Sequence, residues 1–149
     1  IGVSGAKGLC SALNIPLIAV DTLQTLASQA GVTDGKIIPM LDARRMEVYS
    51  AIFNSDLTLE RAIKAEIIDE SSFQEYYTDK LYFVGDCADK CKTVLTKDNF
   101  VFLENIKYPS AQAISKISFD KYQKSDTVDV AYFEPYYLKD FMIAPPKKQ

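Results

Sequence analysis

The 149-residue sequence contains no histidine, which removes both the commonest general base and the commonest zinc ligand. Any catalysis would fall to carboxylates, Lys, Tyr, Ser or Cys. Cysteine is scarce as well. Cys10, Cys87 and Cys91 form an odd set without secretory context, so a disulfide framework is not expected. Cys87 and Cys91, four apart, share a helix face and read as small buried hydrophobes rather than a metal or redox pair. No apolar run exceeds a few residues, so no segment is expected to span a bilayer, and the opening residues do not read as a signal peptide. A surplus of positive charge is missing too: 17 Lys and Arg against 20 Asp and Glu give a net charge of −3. That balance argues against a chain whose whole surface grips nucleic acid, while leaving room for a local basic patch.

What remains is the composition of a globular domain, 48% hydrophobic and 25% charged. Residues 1–13 read as a helix rich in small side chains (Gly2, Gly5, Ala6, Gly8, Ala12), with no capping residue and no methionine ahead of it. A helix that opens uncapped suggests a piece of a longer protein. Glycine in a helix interior costs close to 1 kcal/mol against alanine, and close approach of a second helix is the usual reason to keep it. Residues 16–20 read as a short strand. Asp21 with Gln24 has capping-box spacing for a helix with apolar face Leu23, Leu26 and Ala27, ended by Gly31.

Residues 37–53 read as two strands joined by a tight turn carrying Asp42, Arg44, Arg45 and Glu47, and residues 62–68 as a third strand of the same meander. Ser72 with Glu75 suggests a short capped helix. Residues 81–84 read as a strand, Gly85-Asp86 as a tight turn with Asp86 as N-cap, and residues 87–95 as a helix. A strand at 100–102 and a helix opened by Pro109-Ser110 follow; residues 131–138 read as extended and aromatic, lying against the body. This order predicts an α/β fold with a mixed sheet and flanking helices.

Several constellations bear on chemistry. Ser4-Gly-Ala-Lys7 matches a Ser-x-x-Lys string, but its Ser-Asp-Asn and Lys-Thr-Gly partners are missing. A nucleophile elbow fails at Ala6, and a phosphate loop fails because Gly8 stands where Ser or Thr is needed. The Gly85-Asp86 turn could receive an anion or a nucleotide at a helix N-terminus, though a connection that needs glycine explains it more simply. In the hairpin, Arg44 and Arg45 either clasp a phosphate bidentately or fill the site and pair with Asp42 and Glu47; the second reading is favoured.

The strings Ile1-Gly-Val-Ser-Gly-Ala-Lys-Gly-Leu9, Ile15-Pro-Leu-Ile-Ala-Val-Asp-Thr-Leu23, Pro39-Met-Leu-Asp-Ala-Arg-Arg-Met-Glu-Val-Tyr49 and Tyr136-Tyr-Leu-Lys-Asp140 together resemble the TsaB (YeaZ) family. The resemblance implies an actin-like, sugar-kinase-like (ribonuclease H-like) fold. It divides the chain into a remnant of an N-terminal lobe at 1–30, a C-terminal lobe at 31–140 and a tail at 141–149, the first half-domain being incomplete. It implies a cytoplasmic, non-catalytic scaffold that works with TsaD and TsaE in making threonylcarbamoyladenosine beside the tRNA anticodon. On this reading the chain uses no cofactor or metal and no membrane, meets tRNA through the complex, and leaves a homodimer open. The partner-facing helix maps onto Gly2, Gly5, Ala6, Leu9 and Leu13. The hairpin Asp42, Arg44, Arg45 and Glu47 and the turn Gly85 and Asp86 become degenerate nucleotide elements. The alternatives are an ATP-dependent phosphotransferase or ATPase of the same fold and, behind it, a glycoprotease-type peptidase.

Overall fold

The computed structural model describes residues 1–139. The chain divides into two units. The larger, Ile18–Val128, is built on a five-stranded mixed sheet; the smaller holds Ile1–Leu17 together with the chain from Asp129.

In the larger unit, α2 (Thr22–Ser28) precedes an antiparallel meander of β1 (Lys36–Asp42), β2 (Glu47–Asn54) and β3 (Leu59–Ile67). Then come a 3-10 turn (Gln74–Tyr76), β4 (Leu81–Val84), α3 (Ala88–Cys91), β5 (Phe100–Phe102) and α4 (Ala111–Gln123). The strand order is β3-β2-β1-β4-β5, with β1, β4 and β5 mutually parallel. Both faces are covered, and the sequence shows why. β4 is apolar at all four positions and wholly buried, as a strand packed on two sides must be. Along β1, Ile38 and Met40 enter one core with Phe83, Cys87 and Cys91, while Ile37 and Leu41 face the other with Leu23, Leu26 and Ala27. Pro39, without an N–H, lies inside the central strand; the β1–β2 register runs to Ile37↔Phe53 and resumes at Met40↔Ser50.

The caps of α2 and α4 form as their sequences dictate. Gln24 N–H donates to Asp21 Oδ1 at 3.0 Å, and Ala113 N–H to Ser110 Oγ at 3.1 Å. Four expectations are corrected. Residues 16–20 form no strand beyond an isolated bridge at Leu17. The Ser72–Glu75 box does not close, because Asp69 captures the serines: Ser71 N–H donates to Asp69 Oδ1 and Asp69 N–H to Ser72 Oγ, each at 2.9 Å, leaving Phe73 with a left-handed φ of 65° ahead of one 3-10 turn. The helix expected at 87–95 stops at Cys91; the Thr93 hydroxyl takes the Lys90 carbonyl at 2.7 Å, and the following amides bond in tighter turns. Asp86 is not its N-cap, a role that passes to Cys87 without a side-chain bond.

In the smaller unit, α1 (Gly2–Leu13) starts without a side-chain cap and ends at Asn14 in the left-handed region. Lys7 Nζ donates to the carbonyls of Ala131 (3.1 Å) and Phe133 (2.9 Å), which holds the C-terminal segment to the helix. The tyrosines of that segment, Tyr132, Tyr136 and Tyr137, nonetheless point outward. Asp140 of the closing motif and the tail at 141–149 lie outside the described residues.

Candidate functional site

The hairpin and the Gly85-Asp86 turn, read in the sequence as degenerate nucleotide elements and far apart in the chain, meet in space. β1 and β4 run parallel and in register to Pro39↔Val84, so the hairpin that follows β1 and the turn that follows β4 emerge at the same end of the sheet. Gly85 makes the crossing possible. Its φ is 123°, and a Cβ there would stand 1.8 Å from the Met40 carbonyl oxygen. Asp86, freed from capping, reaches across instead: its Oδ1 accepts the Asp42 N–H at 3.0 Å.

A residue that sequence reading did not single out closes the arrangement. Lys90, on α3, ion-pairs with Asp42 and donates to the carbonyls of Arg45 (2.7 Å) and Glu47 (3.2 Å). The hydrogen bond from Lys90, followed by that from the Arg44 N–H, holds the Asp42 carboxyl below its ordinary range. Such a carboxylate is a poor general base at neutral pH. Five backbone donors of the hairpin and the turn are also in use. Asp42 N–H goes to Asp86, Arg44 N–H to Asp42, Ala43 N–H to the Glu47 carbonyl, Glu47 N–H to the Arg44 carbonyl and Gly85 N–H to the Ile106 carbonyl.

The expected pairing of the arginines with Asp42 and Glu47 is not what forms. Lys90 has taken Asp42, and both guanidiniums are exposed without a hydrogen bond or ion pair to any described residue. Arg44 and Arg45 sit at φ 77° and 51°, in the left-handed region that side-chain-bearing residues seldom occupy.

A second polar cluster went unread in the sequence. Ser50, fully buried on β2, donates to Glu66 and accepts from Arg61 Nη2 at 2.6 Å; Arg61 also pairs with Glu66, and Lys64 Nζ lies 3.0 Å from it. An irregularity between β2 and β3 moves the register from Ser50↔Lys64 to Ile52↔Arg61, which brings Arg61 and Glu66 to one face. Burial raises the Glu66 carboxyl, but the bonds from Ser50, Arg61 and Lys64 outweigh it and hold it low. A closed-off serine beside a carboxylate that its partners keep ionised at neutral pH makes a structural network, not a nucleophile. Cys87 and Cys91 are likewise buried and unbridged; the hydrogen bond with Cys91, and then burial, push the Cys87 thiol up and make it inert.

On α1, Gly2, Gly5, Leu9 and Leu13 are exposed and Ala6 is half-buried. A Cβ placed at Gly2, Gly5 or Gly8 would meet nothing within 4 Å. Close packing within their own unit therefore does not account for these glycines. Among the described residues no helix is long and apolar enough to cross a membrane.

The mixed α/β sheet, with its hairpin and strand–turn–helix elements converging at one end, belongs to the class of actin-like folds. Two solved structures from Pseudomonas aeruginosa share it, one an uncharacterized protein with similarity to peptidase YEAZ (TM-score 0.73, 19% identity, 93% of this chain and 66% of that one), the other YeaZ (TM-score 0.75, 19%, 91% and 66%). Residues 1–141 match the family model described as TsaD, tRNA N6-adenosine threonylcarbamoyltransferase, and the chain belongs to that family. Curated relatives carry the name tRNA threonylcarbamoyladenosine biosynthesis protein TsaB. The Bacillus subtilis (strain 168) protein is 47% identical over 53 residues, 36% of this chain and 23% of its own length; that of Escherichia coli (strain K12) is 27% identical over 150 residues, 94% and 64%. The chain thus spans less than two-thirds of the curated relatives it matches.

Proposed function

We propose that the chain serves the making of threonylcarbamoyladenosine in tRNA as a non-catalytic subunit. Its partners would be a TsaD-like transferase and a TsaE-like ATPase, with tRNA reached through the complex, in the cytoplasm. The observation that supports a non-catalytic role most is the self-satisfied crossing. Lys90 occupies the hairpin as an internal cation, and the amides of Asp42, Ala43, Arg44, Glu47 and Gly85 already donate within the protein. A phosphate at that place would compete with every one of these bonds. The open face Gly2, Gly5, Ala6, Leu9 and Leu13 supports a role through contact, since small residues at helical spacing let another helix approach closely. The lobe boundary near residue 30 belongs to the same proposal.

Size exclusion of the full-length protein with the TsaD-like subunit at micromolar concentration tests this reading. Co-elution is expected, and Gly5→Leu on the α1 face should abolish it. Separate elution of the parent protein and the subunit would overturn the proposal.

A further inference from the structure

The hairpin tip carries two cations that nothing in the described chain neutralises. Asp42 and Glu47 are two and three residues from the arginines, yet Lys90 holds Asp42 and neither guanidinium meets a described partner. Lys90 also pins the carbonyls of Arg45 and Glu47 from beneath, so the loop backbone is tied down while the Arg44 and Arg45 side chains project outward. The chain keeps arginine at φ 77° and 51°, where glycine or asparagine would sit without strain. Strain retained at an exposed tip, with the loop locked below it, is the mark of a position held for what its side chain touches.

The surroundings indicate what that is. Asp42, Glu47 and Asp86 rim the tip, in a chain of net charge −3. A run of RNA phosphates laid across them would be repelled, and RNA binding draws on many cations rather than two. Beside the tip, Ile67, the register partner of Glu47, is 71% exposed, and Met46 is half-buried at the loop's end. Arginine next to exposed apolar surface is the composition of a protein interface. The planar guanidinium matches a carboxylate with two parallel bonds. We infer that the Arg44–Arg45 tip, with Ile67 beside it, docks a carboxylate-bearing surface of a protein partner.

This inference rests on the partnership proposed above, and its test uses the full-length protein with the TsaD-like subunit as probe, followed by calorimetry. Arg44→Gly with Arg45→Asn removes both guanidiniums while suiting the left-handed backbone. It should weaken binding by about tenfold and flatten its salt dependence, with a melting temperature no lower than the parent's. Arg44→Lys with Arg45→Lys should fall between, keeping charge but losing the planar fork. Unchanged affinity in the Gly/Asn variant would overturn the inference and leave the partnership standing. No binding by the parent protein would sink both. A tRNA affinity of the protein alone that is lost in the variant, with protein binding unaffected, would also overturn it, in favour of an RNA phosphate contact.

Discussion

Gly85 lies so near the Met40 carbonyl that no side chain fits, and its φ of 123° belongs to a region open only to glycine. Gly85→Ala should therefore cost about 3 kcal/mol or more, read from denaturant unfolding. A loss under 1 kcal/mol would mean the crossing relaxes easily. At the same scale, Lys90 governs Asp42. In Lys90→Met the Asp42 carboxyl should titrate nearer the ordinary value of about 3.9, observed by carbon NMR. The hairpin amides should also exchange faster, since Lys90 no longer holds two of the loop's carbonyls. An unmoved titration would show that the Arg44 amide alone sustains the low value. Single residues were legible in sequence where their partner is local: Asp21 and Ser110 cap helices three residues on. Lys90 and Asp86 were not, because their partners lie 48 and 44 residues away and only the parallel pairing of β1 with β4 brings them together.

Among the elements, β3 carries the least obvious design. Its register irregularity turns Arg61 and Glu66 inward at the sheet edge, where inward-pointing charges discourage a further strand from adding on. Arg61→Met should destabilise the domain by about 2–3 kcal/mol by leaving Glu66 with the more exposed Lys64 alone and Ser50 without its donor. The Glu66 and Asp42 carboxyls are both depressed in the folded state. Stability from each is therefore fully present above the ordinary carboxylate range and lost as pH falls through its lower folded value. Thermal melts should be flat down to about pH 5 and fall below it, the fall being shallower in Glu66→Gln with Arg61→Met. The five sheet strands and the longer helices are readable from apolar periodicity and turns, whereas the strand read at 16–20 does not form and α3 and the 3-10 turn are overread. There, serine, threonine and aspartate side chains bond the local backbone in competition with the helix, a contest that spacing alone does not decide.

At the scale of the whole molecule, the wording of the hairpin identified the family, and the mixed sheet follows from alternating patterns the sequence displays openly. Less visible was how the hairpin and the Gly85 turn close on each other. The sequence points to arginines packing into the hairpin; the structure puts an ammonium inside and the guanidiniums outside. That exchange moves the guanidiniums from filling the site to facing outward. It also makes phosphate a competitor of existing bonds, not a guest in an empty cradle.

The hairpin and the turn bond each other and Lys90 where a phosphate would otherwise be held. Titrating full-length protein with Mg·ATP, while following the amide resonances of Asp42, Ala43, Arg44, Glu47 and Gly85, tests this most directly. No saturable shift is predicted at these amides up to about 1 mM nucleotide, a level at which binding would be worth about 4 kcal/mol. Saturation of those same amides at micromolar Mg·ATP would contradict it.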